Sequence, residues 1–142
     1  MALRTYVGTI AQRLLLTAVV AVLAACSSSP TSSSKDVRVT DSANGQSVQL
    51  TAGAQLTVTL RSTYWQFSPV SDTAVLEPVG QPSVVRNSAA GCPPGFGCGS
   101  IAQSFRGRSA GSATVTATRG ACGEAKPCTP EQSAFRLLVT VH

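Results

Sequence analysis

The chain has 142 residues, of which 43% are hydrophobic, 12% are charged and 5% are aromatic. This length predicts one domain, and so low a charged fraction excludes an acidic tail, a basic arm or a long charged helix. The apolar content also excludes general disorder, which combines high charge with few apolar residues. The formal net charge of +5 comes without a run of basic residues, so nucleic-acid binding is not indicated.

The first 25 residues have the pattern of an export signal. Arg4 and Arg13 supply its positive region, and residues 14–25 form an apolar run without a charge. This run is too short to span a bilayer, which requires about 20 apolar residues. We therefore expect residues 1–25 to be a signal peptide that is removed.

The segment that ends this signal, Leu23-Ala24-Ala25-Cys26, resembles the lipobox of bacterial lipoprotein precursors. In that family the Cys receives a diacylglyceryl group and becomes the new N-terminus. The resemblance implies that Cys26 is lipidated and binds membrane lipid, because two acyl chains anchor a protein stably. It places the protein on the extracytoplasmic face of the cell membrane. The alternative is an ordinary secretory signal with a chance Cys.

The amino-acid composition also favours a bacterial source. Nine arginines stand against two lysines, and alanine is abundant. This usage is typical of a GC-rich genome such as that of an actinobacterium.

Short alternating segments follow a polar tether. Residues 26–35 are rich in Ser and have nothing to bury, which predicts a flexible linker. Beyond it, apolar and polar residues alternate as in half-buried strands. The segments lie at residues 37–40, 47–50, 55–60, 112–118 and 135–141, with weaker ones at 74–76, 83–86 and 101–106. Asn44-Gly45 predicts a tight hairpin turn between the first two.

Seven or eight such strands predict an all-β fold. Their number and spacing fit an immunoglobulin-like β-sandwich formed by residues 36–142, with a small β-barrel as the alternative. We expect Trp65, Phe105 and Phe135 in the core. Leu138 is out of phase with the other apolar residues of its strand, so it should face outward.

Four cysteines lie in the predicted domain, Cys92, Cys98, Cys122 and Cys128. An even number in an exported chain predicts two disulfides. Local bridges, 92–98 and 122–128, are the simplest pairing. If instead the strand after Cys98 forms a hairpin with the strand before Cys122, these two cysteines face each other and Cys92 approaches Cys128. Zinc is disfavoured because the spacing is wider than in the usual metal knuckle.

No constellation of residues indicates catalysis. The one histidine, His142, is the last residue, so no internal Ser–His or Cys–His pair exists. The six carboxylates are scattered, and the Gly-rich stretch at residues 95–99 lacks the Lys and helix of a phosphate loop. We therefore expect a protein that is not an enzyme and uses no metal or cofactor.

The order of segments resembles the chagasin-like proteins. Residues 56–60, Trp65, residues 75–76, the Gly-rich segment, Phe105, residues 110–115 and the closing strand recur in the order seen in that family. The family has an immunoglobulin-like sandwich and inhibits papain-type cysteine proteases, whose active-site cleft is blocked by three loops at one end. The resemblance implies a protein partner such as a papain-like protease.

The inhibitory loops themselves match the family in part. The first corresponds to residues 61–65 but lacks the family's Asn-Pro and Gly, the second has Ser100 in place of its last Gly, and the third retains only Arg119. If the loops are stiffened by disulfides, they lose little entropy on binding. The candidate contact residues are Thr63, Tyr64, Phe96, Gly97, Gly99 and Arg119.

Plainer interpretations of the same residues stay open. Tyr64 and Trp65 can belong to the core, Arg119 can be a solvated strand end, and Phe96 can be an ordinary loop residue. The alternative function is a structural cell-envelope lipoprotein without a discrete ligand.

Overall fold

The computed structural model describes residues 35–87, 91–93, 95–123 and 126–142. The export signal and Cys26 lie outside the described residues, as does all of the tether except Lys35. The described residues form eight strands: β1 Val37–Thr40, β2 Ser47–Leu50, β3 Gln55–Arg61, β4 Gln66–Phe67, β5 Leu76–Arg86, β6 Gly99–Gly107, β7 Gly111–Thr118 and β8 Ala134–Val141. A 3₁₀ helix, Asp41–Ala43, and one α-helix, α1 Pro130–Ser133, complete them. Within these described ranges, neither helix has the length and apolarity that a membrane crossing requires.

The strands pair into two four-stranded sheets, which confirms the predicted sandwich. Sheet A has the order β1-β3-β6-β5, and sheet B has the order β2-β8-β7-β4. The first strand of each sheet is parallel to its neighbour, β1 to β3 and β2 to β8. All the other pairs are antiparallel.

The core lies between the two sheets and follows the alternation of the sequence. In β3, β7 and β8 every second residue is buried, because successive side chains of a strand point to opposite faces. Trp65, Phe105 and Phe135 are buried as predicted, and Phe67 contacts Phe105 edge to face with ring centroids 6.1 Å apart. Leu138 is 42% exposed, which confirms its outward direction.

The predicted hairpin at Asn44-Gly45 is wrong, because β1 and β2 lie in different sheets. Asn44 has φ −59°, whereas a type I′ hairpin turn needs positive φ at both central residues. Its side chain instead contacts the backbone of β8. Nδ2 donates to the Ala134 carbonyl (3.0 Å), and Oδ1 accepts from the Arg136 N–H (2.8 Å). These two side-chain hydrogen bonds attach the segment between β1 and β2 to β8, where the chain passes from sheet A to sheet B.

The predicted strand at residues 74–76 is wrong for its first two residues. Asp72 Oδ1 accepts hydrogen bonds from the N–H groups of Ala74 (2.8 Å) and Val75 (3.3 Å), which closes a turn there. β5 begins only at Leu76 and continues to Arg86, so it includes the segment predicted at residues 83–86.

The registers place three connections at the same end of the sandwich. β3 ends with Arg61 opposite Ser100 of β6, and β5 ends opposite the start of β6. β7 ends with Thr118 opposite both Ala134 of β8 and Gln66 of β4. We call this the loop end, formed by loop 1 (residues 62–65), loop 2 (residues 87–98) and loop 3 (residues 119–133). Since β1 is parallel to β3, the chain enters the sandwich at the opposite end.

Candidate functional site

Loop 1 is fixed to the start of β6 by backbone hydrogen bonds. The Ser62 N–H donates to the Gly99 carbonyl and the Thr63 N–H donates to the Gly97 carbonyl, both at 2.8 Å. Ser62 has φ 103°, a conformation that costs a residue with a side chain about 1–3 kcal/mol. Its Oγ accepts a hydrogen bond from the Tyr64 N–H (3.2 Å), which helps to hold the loop in this conformation.

Loop 2 carries the first disulfide, between Cys92 and Cys98. Because the bridge joins residues six positions apart, it closes a small ring at the tip of the β5–β6 connection. Phe96 lies inside this ring and is 47% exposed. Exposed aromatic side chains on a constrained backbone are typical contact residues.

Loop 3 carries the second disulfide, between Cys122 and Cys128. Local pairing is thus observed for both bridges. The alternative cross-pairing is wrong, because it requires a hairpin of β6 and β7, and these strands lie in different sheets. After the bridge, α1 begins with Pro130 and a capping box formed by Thr129 and Gln132.

The same turn affects one carboxyl group. The backbone N–H of Glu131 and the side chain of Thr129 donate hydrogen bonds that lower the pKa of the Glu131 carboxyl, which is fully exposed. Hydrogen bonds to the ionised form favour it, so this group stays charged under mildly acidic conditions.

Three contacts join the loops in pairs. The Tyr64 ring of loop 1 lies over Gly97 of loop 2, so that a Cβ there would be 2.6 Å from the ring. The Phe96 ring of loop 2 lies beside Gly123 of loop 3, where an added Cβ would be 3.9 Å away. The guanidinium of Arg119 in loop 3 stacks on the ring of Trp65 in loop 1, 4.6 Å from its centroid. The three loops therefore form one connected surface.

Trp65 and Arg119 support this surface from within. Trp65 is 5% exposed, and its Nε1 donates to the Arg61 carbonyl at 2.9 Å, which satisfies the buried polar edge. Arg119 Nε donates to the Gln132 carbonyl at 2.8 Å while the guanidinium covers the indole. Trp65 is thus a core residue, and Arg119 is a half-buried brace between loops 1 and 3 rather than a solvated strand end.

A recess of about 350 Å³ opens between loops 1 and 2. Thr63, Tyr64 and Gly97 form one side, the Cys92–Cys98 ring forms another, and Arg86 stands at the rim. Of the lining residues, Asn87, Pro93 and Arg86 were not predicted from the sequence, and Arg86 lies at the end of a weakly predicted strand. Its position directly before loop 2 is the one sequence feature that could have indicated it.

The charges at the loop end are few. Arg61 lies 3.7 Å from Asp41, with the arginine side chain almost fully exposed, and this ion pair contributes little in water. Among the described residues, no group of three His, Cys, Asp or Glu side chains is close enough together to hold a metal ion. The groups that the site offers to a partner are aromatic rings, glycine backbone and arginine.

Comparisons with known proteins identify the class of fold. Neither the known protein families nor the curated proteins include a match to this chain. Among solved structures, the solution structure of amebosin matches with a TM-score of 0.53 and 14% identity, over 76% of this chain and 99% of that one. The cysteine protease inhibitor EhICP2 from Entamoeba histolytica matches with a TM-score of 0.51 and 8% identity, over 75% of this chain and 94% of that one.

These likenesses extend over nearly the whole of both neighbours. The described domain is therefore an immunoglobulin-like sandwich with the fold of these two proteins, and one of them is a cysteine protease inhibitor. At such low identity the likeness concerns the fold, and the role of the loop end must be argued from its own residues.

Proposed function

We propose that this chain is a lipid-anchored, extracytoplasmic binding module that inhibits papain-type cysteine proteases with its loop end and performs no catalysis itself. The observation that carries the proposal is the convergence of loops 1, 2 and 3 into one connected surface at one end of the sandwich. The fold shared with EhICP2 and the resemblance to the chagasin-like proteins support it.

Rigidity is the physical advantage of this surface. Two short disulfide rings and three contacts between loops fix the backbone before a partner arrives. Fixing the backbone of a flexible loop costs about 1–2 kcal/mol per residue, and a loop whose backbone is already fixed avoids most of this cost on binding. Tight binding then needs only a small number of exposed anchors.

Phe96 is the strongest anchor that the loop end offers. Among the described residues of loop 2 it is the one large apolar side chain that is exposed, at 47%, and it stands on a disulfide-closed ring. Tyr64, half-buried against Gly97, supplies a second aromatic edge, with Thr63 next to it. Arg119 braces Trp65 and contributes to binding through the shape of loop 3 rather than by direct contact.

In this proposal the tether joins the domain at the end opposite the loops. β1 begins with Val37 at the end of the sandwich away from the loop end, so the chain that precedes β1 joins the domain there. Ten tether residues extend to about 35 Å at most. On such a flexible tether the domain can turn so that its loop end meets soluble partners.

Titration of papain with the full-length chain, purified in mild detergent, tests the inhibition. We expect inhibition at micromolar or lower concentration, weakened about tenfold by Phe96→Ala, because anchor residues contribute more than about 1 kcal/mol each. Leu138→Ala is the matched control, since Leu138 is 42% exposed but lies on the outer face of sheet B. Absence of inhibition at micromolar chain, or equal losses in both variants, contradicts the proposal.

Metabolic labelling with a radioactive fatty acid tests the anchor separately. The parent chain should incorporate label, and Cys26→Ser should abolish it, because lipidation needs the thiol. The double variant Cys92→Ser with Cys98→Ser, which removes a bridge inside the domain, should still be labelled. Label that persists in Cys26→Ser contradicts the lipobox interpretation.

A further inference from the structure

One side of β5 is open, since β5 is the outer strand of sheet A and, among the described residues, pairs only with β6. Its first part is obstructed by Pro78 and Pro82 and by a register shift between Val79 and Ser83. Prolines and bulges on an edge strand prevent further strands from pairing with it. Residues 83–86 have neither, so this segment, which we call the open edge, is the accessible part.

The open edge directs defined backbone groups outward. The N–H of Asn87 donates to the Cys98 carbonyl (3.2 Å), so the groups of residue 87 point toward β6. In an antiparallel pair, residues whose N–H and C=O face the neighbour alternate with residues whose groups face away. Val85, opposite Ser100, therefore bonds to β6, while Val84 and Arg86 present their N–H and C=O to the outside.

Apolar side chains flank these groups. Val84 is 46% exposed and Val85 is 64% exposed, although valine is a residue that strands normally bury. The two side chains lie on opposite faces of the strand, so an added strand would cover part of each. The open edge thus combines unpaired backbone with apolar surface that pairing would remove from water.

The open edge leads directly into the recess between loops 1 and 2. Arg86 is the last residue of β5 and stands at the rim of that recess, beside Tyr64 and the Cys92–Cys98 ring. No acidic residue is found among the described residues that line the recess, so the Arg86 guanidinium supplies its charge. An acidic side chain complements this arrangement, because arginine binds carboxylates through charge-assisted hydrogen bonds.

We propose that the open edge binds an extended acidic peptide segment of another protein as an additional β-strand, with a Glu or Asp side chain of that segment placed in the recess beside Arg86. The charge at the edge argues against a second copy of this chain. Two open edges paired by a two-fold axis would bring two Arg86 side chains to neighbouring positions, where like charges repel. This site goes beyond the proposed function, since it needs neither a protease nor Phe96.

A designed peptide tests the proposal on the full-length chain in mild detergent. The probe is acetyl-Thr-Val-Thr-Glu-Val-Thr-Val-amide, and the readouts are its dissociation constant and the amide hydrogen exchange of Val84 and Arg86. We expect saturable binding that slows exchange at both amides at least tenfold, because outward N–H groups become hydrogen-bonded. Replacing the peptide's Glu by Gln should weaken binding about tenfold, and Arg86→Gln should remove that preference.

Two further comparisons test strand pairing itself. A probe with N-methyl groups on the alternate residues that face the open edge cannot donate hydrogen bonds to it and should not bind. Val84→Pro removes one outward N–H but no bond to β6, a change that edge strands tolerate, and should also abolish binding. Dispersed amide spectra of Val84→Pro establish that the variant is folded, and the N-methyl probe gives the same answer without any variant.

Three results would overturn the proposal: no saturable binding of the probe, equal binding of the Glu and Gln probes, or protection of Val84 and Arg86 by self-association of the free chain. The papain titration is independent of all three. A chain that binds the probe but leaves papain active refutes the proposed function alone, and the reverse outcome refutes the peptide site alone.

Discussion

Two glycines two positions apart at the loop end should respond very differently to the same substitution. A Cβ at Gly99 would overlap the carbonyl oxygen of Val85, which is part of the β5–β6 ladder. A Cβ at Gly97 would lie 2.6 Å from the Tyr64 ring, and a side chain can rotate away. We therefore expect Gly99→Ala to disturb the fold and Gly97→Ala to disturb mainly the surface of the site.

The magnitudes follow from the two conformations. Gly99 has φ 127°, which costs a residue with a Cβ about 1–3 kcal/mol, and moving β5 away from the new methyl group weakens one or two hydrogen bonds of about 1 kcal/mol each. The total for Gly99→Ala is about 2–5 kcal/mol. Gly97 has φ 59°, a conformation in which alanine lowers the free energy of unfolding by about 1–2 kcal/mol. Little is added to this loss, because the Tyr64 ring can rotate away from the new methyl group.

Urea unfolding measures both values. Trp65 is the single tryptophan and is buried, so its fluorescence reports the loss of the core. Papain inhibition by the same variants, at urea-free conditions where both are folded, should fall for Gly97→Ala because Tyr64 is displaced. If Gly99→Ala lowers the free energy of unfolding no more than Gly97→Ala does, that result contradicts the close approach of Gly99 to the Val85 carbonyl.

Three other changes test separate parts of the loop end. Arg119→Ala should lower the free energy of unfolding by about 1–2 kcal/mol, from one cation–π contact and one hydrogen bond, and should shift the Trp65 emission; an unchanged emission would contradict the stacking. Ser62→Ala should cost about 1 kcal/mol by removing the hydroxyl acceptor, whereas Ser62→Gly should cost less because it relieves the positive φ; the opposite order in urea unfolding would contradict the strain. Cys92→Ser with Cys98→Ser should lower stability by about 2 kcal/mol, as expected for so short a closed loop, yet keep the far-ultraviolet circular dichroism of the sandwich; loss of that spectrum would show that the bridge holds more than loop 2.

The strands were predictable where one face is buried. Alternation in residues 55–60, 112–118 and 135–141 fixes which side chains enter the core, because a shift by one residue would expose all of them. The out-of-phase Leu138 was predictable for the same reason. Short-range pattern does not state which strands pair, and this is why the hairpin at Asn44-Gly45 and the cross-paired disulfides were open to error.

The sequence could predict which residues belong to the site, but not how they contact one another. The sequence places Tyr64, Phe96 and Gly97 in loops, but the contact of Tyr64 with Gly97 and of Phe96 with Gly123 depends on how two sheets bring distant loops together. Arg119 looked like a strand end, because its partner Trp65 lies more than fifty positions earlier in the chain. Such contacts are set by tertiary packing rather than by local propensity.

The parallel pairing of β2 with β8 has a consequence for the order of folding. Leu50, near the start of the domain, pairs with Val141 at the end of the last strand. Because the N-terminal part of the chain is synthesised first, sheet B cannot be completed until β8 is available. Contacts so distant in sequence also form slowly. The segment before β3 therefore stays unpaired on its sheet-B side until the last strand is available, so the two ends of the domain become ordered together.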